Sequence, residues 1–259
     1  MAIEKDMIKV LHKEIDQITI RDEVDYDSPY SDAVHPGMFE NILGHGDLGK
    51  SLGEFFEQPV DVVFEYPQEH RILLGSYTPM RSPGIVALYQ DNICNFFWGV
   101  VRNVLSANRN IFISVNDLKH SADLVVYKVW WHELFHFCCD VFRQLFGSKY
   151  DSMTEEALAV AYSRLKMLEL RTSGRSKISR IQPLFFSEML QIIYSYTSPG
   201  YRDWPSYADP VRFGDGLSAY VLPHGSMLRM TGVDLFKMLE DMLTSLTAIP
   251  KNGYVEKLI

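Results

Sequence analysis

The chain has 259 residues, 47% of them hydrophobic and 22% charged, ordinary proportions for a soluble globular protein with a substantial core. Its formal charge of −8, from 25 basic and 33 acidic residues, argues against nucleic acid as the main partner. Cys138 and Cys139 are neighbours in a chain with three cysteines, which is no disulfide framework. No apolar stretch reaches membrane-spanning length, and Met1 to Lys13 mixes charges where a secretory leader would be apolar, so a cytoplasmic protein without a membrane partner is expected.

Taken in chain order, residues 1–58 are expected to form a helical and loop segment, with an acidic, turn-rich stretch over 21–36 that contains Pro29 and Pro36. Between 59 and 116 the texture is β-rich. Val60–Tyr66, Arg71–Tyr77, Ile85–Gln90 and Ile111–Asn116 are short runs heavy in Val, Ile, Phe and Tyr and predict strands. Ile93–Leu105 has apolar residues at helical spacing and predicts a helix. Ser121 is a candidate N-cap, with Asp123 in the first turn, for a long helix ending near Phe146 at Gly147. A second helix is predicted over Met153–Leu170, a polar basic loop over Arg171–Arg180, and further helices near 184–196 and 234–248. The stretch from Ser198 to Gly232 has no clear periodicity. The fold class is α+β: a mixed sheet first, then mostly helices. One domain spans 1–259, with a core over about 59–170 and a helical C-terminal lobe over about 181–259.

The long predicted helix carries His132-Glu133-Leu134-Phe135-His136, the pattern H-E-x-x-H. Residues four apart lie on one helix face, so both imidazoles can hold one metal ion, while Glu133 can take a proton from a water that the metal activates. A catalytic zinc site needs a third protein ligand and an open position. Glu155 and Glu156, 19 and 20 residues beyond His136, are the candidates. Ser152-Met153-Thr154-Glu155 fits a capping box that would fold Glu155 back onto the helix start, which favours Glu156.

His132-Glu133-Leu134-Phe135-His136 followed by Glu156-Ala157 resembles the gluzincin branch of zinc metallopeptidases, the thermolysin-like class, over roughly residues 84–162. The resemblance implies a zincin-like fold, one zinc ion held by His132, His136 and Glu156, Glu133 as general base, and a peptide or protein substrate. It also implies that Ile85-Val86-Ala87-Leu88-Tyr89 is the edge strand beside the substrate. Thermolysin-like enzymes carry Asn before the ligand glutamate, where this chain has Glu155. Gly37-Met38-Phe39-Glu40-Asn41 echoes an aminopeptidase signature but ends 91 residues before His132, too far for that family. His224 and Tyr220 are candidate donors to a developing oxyanion. Asp140 continues the histidine stripe by another four residues; a carboxylate that bonds and orients a ligand histidine is one reading, and a solvated helix position is the favoured one.

Two other readings stand beside this one. A zinc-binding module without turnover would keep the metal ligands but would not need Glu133. Gly44-His45-Gly46-Asp47-Leu48-Gly49-Lys50-Ser51 satisfies the phosphate-loop pattern of nucleotide hydrolases. The residues before it have helical rather than strand periodicity, and Pro59 cuts short the helix that should follow, so a glycine-rich turn is the better account. Cys138 and Cys139 diverge by about 100° on a helix and cannot both reach the metal face. Trp130, Trp131, Phe135, Phe137 and Phe142 read as core, and the aromatic loop Gly200–Tyr207 is a candidate cleft lining.

Overall fold

The computed structural model describes residues 3–19, 73–79, 84–108, 111–222, 234–248 and 254–259. The strand expected at 60–66, the acidic 21–36 stretch, Gly37–Asn41, Gly44–Ser51 and His224 lie outside these. Among the described residues, α1 (Ile3–Thr19) precedes two short strands, β1 (Gly75–Thr78) and β2 (Gly84–Leu88), and then α2 (Gln90–Ala107). The chain continues through α3 (Val115–Phe146), α4 (Ser152–Thr172), a 3-10 turn (Lys177–Arg180) and α5 (Pro183–Ile193). A second 3-10 segment (Tyr201–Tyr207), α6 (Pro210–Val221), α7 (Leu235–Ala248) and β3 (Tyr254–Leu258) complete it. The protein is mostly helical with a small mixed sheet, an α+β arrangement.

Helix α3 is the axis of the molecule. Its 32 residues span about 48 Å at 1.5 Å per residue. Its buried positions run from Leu118 to Phe142 on every side, because α1, α4 and the sheet all pack on it. It starts earlier than the sequence suggests. Ser114 is the N-cap, and a capping box joins it to Asp117 (Ser114 N to Asp117 Oδ2 2.8 Å, Asp117 N to Ser114 Oγ 3.0 Å). Ser121 instead lies inside the helix, buried, with its hydroxyl donating to the Asp117 carbonyl at 2.6 Å. The strand expected over Ile111–Asn116 is therefore absent: Ile111 and Ile113 are buried in an extended lead-in, and the helix begins at Val115. Gly147 ends α3 in the left-handed region at φ 68, where glycine alone carries no Cβ penalty.

Only residues 147–151 separate α3 from α4, so the two helices pack against each other as a hairpin. Asp151 caps α4, accepting from Met153 N at 3.2 Å and from the Thr154 hydroxyl at 2.5 Å. The Ser152 capping box is not formed, and Glu155 is left free to turn inward.

The sheet has order β1-β2-β3. β1 runs antiparallel to β2, with Gly75 opposite Leu88 and Thr78 opposite Ile85. β3 runs parallel to β2, with Gly84 opposite Tyr254. β2 is thus paired on both sides, which corrects the expectation that Ile85–Leu88 is an edge. Among the described residues the edge facing away from β2 belongs to β1. Trp130, Phe135, Phe137 and Phe142 are core as expected, and Cys138 and Cys139 are fully buried. Among the described residues no helix is long and apolar enough to cross a membrane.

Candidate metal centre

Lys128, His132, His136 and Asp140 succeed one another at four-residue intervals on α3, and each is buried or nearly so. Polar groups on a core helix cost free energy unless partners meet them. For the two histidines α4 supplies them, and for Asp140 Tyr77 of β1 and Arg143 do.

His132 Nε2 and His136 Nε2 lie 3.2 Å apart. Glu156 Oε2 completes a triangle with them at 3.2 Å from His132 Nε2 and 3.4 Å from His136 Nε2. These three residues form a group that could hold a metal ion. Ligand atoms 2.0–2.1 Å from a tetrahedral ion are about 3.3 Å from one another, so all three edges fit. Glu156 Oε2 is buried and, among the described residues, satisfies no hydrogen bond, as a ligand atom facing a cation would be. The Glu156 side chain is 25% exposed, against 7% for His132 and 12% for His136, so Glu156 is the least buried of the three.

Glu155 has a different task. Its Oε1 accepts from His136 Nδ1 at 2.8 Å, which leaves His136 Nε2 facing the triangle. Its Oε2 accepts from Arg143 and from the Tyr220 hydroxyl. Arg143 also donates to the Tyr220 oxygen at 3.1 Å and to Asp140 at 3.4 Å, and Asp140 in turn accepts from Tyr77 of β1 at 2.8 Å. Asp140 is therefore buried and bonded, not solvated, and three links, through Arg143 and Glu155, join it to His136. Tyr220 belongs to the same network, its hydroxyl held by Glu155 and Arg143. The capping box that was to fold Glu155 onto the helix start is not formed, and Glu155 turns instead to His136 and Arg143.

Glu133 is buried on the β1 side of α3. A Cβ built on Gly75 would lie 2.9 Å from Glu133 Cγ and 3.0 Å from its Oε1, so the strand backbone rests directly on the carboxylate. Burial, with help from Glu156, pushes Glu133 up to about 7 against the pull of His136 and Lys128. Burial would lower His136, but the Glu155 and Glu156 carboxylates outweigh it and hold it at about 10. Burial lowers His132 to about 4 against the pull of Glu156. Glu156 itself resists burial and is held well below the usual carboxylate range by the two histidines.

Three more residues frame the centre: Gly200 and Tyr201, from the loop named as a candidate cleft lining, and Lys128, to which the sequence alone assigned no role at the site. Gly200 has φ 81, and a Cβ there would lie 3.2 Å from the Met153 carbonyl and 3.3 Å from Glu156 Cβ. This tight turn delivers Tyr201 onto His132, with ring centres 5.9 Å apart and planes 15° from parallel. Burial and the nearby Glu156 and Glu133 carboxylates raise the Tyr201 hydroxyl well above its usual range. Lys128, buried one turn before His132, holds its ammonium 5.0 Å from the centre of the Tyr196 ring. The signal for Lys128 was its place in the four-residue stripe; for Tyr201 it was the aromatic density of its loop. Compared with protein families, curated proteins and solved structures, the chain finds no match.

Proposed function

We propose that the protein is a metal-dependent peptidase of gluzincin type, with His132, His136 and Glu156 as ligands to one zinc ion and Glu133 as general base. The observation that carries this reading is the triangle of two Nε2 atoms and one Oε2 with a buried carboxylate beside it. Two imidazoles and a carboxylate suit zinc, and an open corner is what a catalytic ion requires. Zinc bound there supplies an acidified water and a Lewis acid for the substrate carbonyl.

The chain's own residues account for the rest. Glu133 accepts a proton from the attacking water and returns it to the leaving nitrogen, a task that its buried place beside the triangle suits. Tyr201 keeps its proton at any working pH and is a donor for the oxyanion, the place first considered for His224 and Tyr220. The edge of β1 that is unpaired among the described residues belongs to the strand that rests on Glu133 at Gly75 and offers backbone groups to an extended peptide, which fixes a scissile bond without demanding particular side chains.

The test combines metal analysis with peptide hydrolysis. His132→Ala and Glu156→Gln are expected to lose metal. Glu133→Gln is expected to keep it while hydrolysis falls by about 10²- to 10⁴-fold, the usual weight of a general base. Metal binding with no hydrolysis of any peptide library would make the protein a zinc-binding module instead.

A further inference from the structure

One charged group borders the centre without a task in metal binding or proton transfer. Lys128 is only 5% exposed, an expensive place for an ammonium unless an anion faces it. Glu133 and Glu156 are close enough to act on its charge, but among the described residues no carboxylate closes an ion pair with it. Glu156 is occupied by the histidines. The ammonium lies over the Tyr196 ring, and the Tyr196 hydroxyl is buried with no hydrogen-bond partner among the described residues. Tyr196 packs in turn on Tyr201, ring centres 5.4 Å apart, so both donors belong to the wall of the metal centre. A cation and a phenol lacking an acceptor are complementary to a carboxylate.

We propose that Lys128 and Tyr196 form a carboxylate-binding subsite, and that the group it takes is the C-terminal carboxylate of a peptide, making the protein a carboxypeptidase. This rests on the peptidase reading above. The spacing agrees. Lys128 precedes His132 by four residues, about 6 Å along the helix axis. One terminal residue, roughly 3.8 Å, plus a charge-assisted hydrogen bond of about 2.8 Å, spans that length. The burial of Lys128 and of the Tyr196 hydroxyl makes the subsite a dead end, which suits a chain terminus and not a chain running onward. The reaction is hydrolysis: the last peptide C–N bond breaks, hydroxyl adds to the acyl carbon, and the proton goes to the released amine.

The experiment measures binding of N-acetylleucine, N-acetylleucine amide and N-acetylglutamic acid α-amide to the zinc-loaded protein by calorimetry. Hydrolysis of a peptide with a free or an amidated C-terminus is followed beside it. N-acetylleucine is expected to bind more tightly than its amide, and Lys128→Met is expected to weaken it by about 10- to 100-fold, the weight of one charged hydrogen bond, with zinc content and the amide's affinity unchanged. Lys128→Arg restores the preference and Tyr196→Phe reduces it severalfold. If the glutamate α-amide alone shows the loss, the carboxylate is an acidic side chain: the carboxypeptidase assignment is overturned and the subsite stands. If both probes bind Lys128→Met as tightly as the wild type, zinc alone holds them and the subsite is overturned. Carboxylate binding that depends on Lys128 in a protein that hydrolyses nothing supports the subsite while sinking the peptidase reading.

Discussion

Two adjacent glutamates open α4, and the 100° between neighbours on a helix sends one carboxylate to the ligand triangle and the other behind His136. Glu155 bonds the histidine nitrogen that does not face the triangle and pairs with Arg143, whose side chain is 12% exposed. Glu155→Gln is therefore expected to weaken metal binding by about 10- to 100-fold, as loss of an outer carboxylate does. It should also reduce stability by roughly 3 kcal/mol, because Arg143 stays buried with less counter-charge. Competition with a chelator and urea unfolding check the two parts. Metal affinity unchanged by the substitution would show that Glu155 serves the fold alone.

Lys128 has the opposite relation to stability. Burial lowers it from 10.5 to about 8 in the metal-free protein, against the pull of Glu133 and Glu156. A base whose folded pKa lies below its unfolded value penalises the fold while charged; the penalty is full below pH 8 and fades as pH rises to 10.5. Lys128→Met should stabilise the metal-free protein by up to about 3 kcal/mol at pH 7, with little gain left at pH 10.5. Unfolding at the two pH values measures the difference, and a destabilised variant at pH 7 would show that the lysine holds the site together.

At the scale of elements, β1 and α3 touch where Gly75 meets Val129 and Glu133. A Cβ at position 75 would lie 2.8 Å from Val129 Cγ1 and 2.9 Å from Glu133 Cγ, too close for either to stay. Gly75→Ala is expected to displace the Glu133 carboxylate and lower hydrolysis by about 10- to 100-fold, since misplacement by about 1 Å has that effect. Metal content should be unchanged, because the atoms nearest that Cβ belong to Val129 and Glu133 and to none of His132, His136 and Glu156. Loss of metal in this variant would mean that β1 supports the ligands and not the base.

The elements differ in how far the sequence exposed them. α2, α4, α5 and α7 carry their own periodicity and terminal signals, and Gly147 stops α3 where its αL conformation requires. Ile111–Asn116 misleads because a buried lead-in to a helix has the same apolar texture as a strand; Ser114 and Asp117 give the true start through a reciprocal cap that competes with the attractive Ser121. β3 had no local signal, since its pairing with β2 is set 170 residues away. In the centre, His132, His136 and Glu156 were legible as spacing. Glu155 and Tyr201 were named with other roles than the contacts they make, and Lys128 with none, because each acquires those contacts only when α3, α4 and the Gly200 turn come together.

Over the whole molecule, the His132–His136–Glu156 triangle and the Arg143–Glu155 ion pair join α3 to α4, and a proton takes part in that junction. In the metal-free protein the Glu155 and Glu156 carboxylates overcome burial and keep His136 protonated up to about pH 10. His132 is already neutral at pH 7, and Glu156 already ionised. A metal needs His136 Nε2 bare, so loading must expel that proton, with a further fraction from Glu133, which titrates near 7. Between pH 7 and 9 the folded metal-free state binds the His136 proton and the loaded state does not, so affinity should rise about tenfold per pH unit in that window. Calorimetric titration with zinc in two buffers of different ionisation enthalpy should report release of at least one proton at pH 7. Affinity that stays flat from pH 7 to 9, with no proton released, would show that His136 is neutral before the metal arrives and that Glu155 orients the ring without charging it.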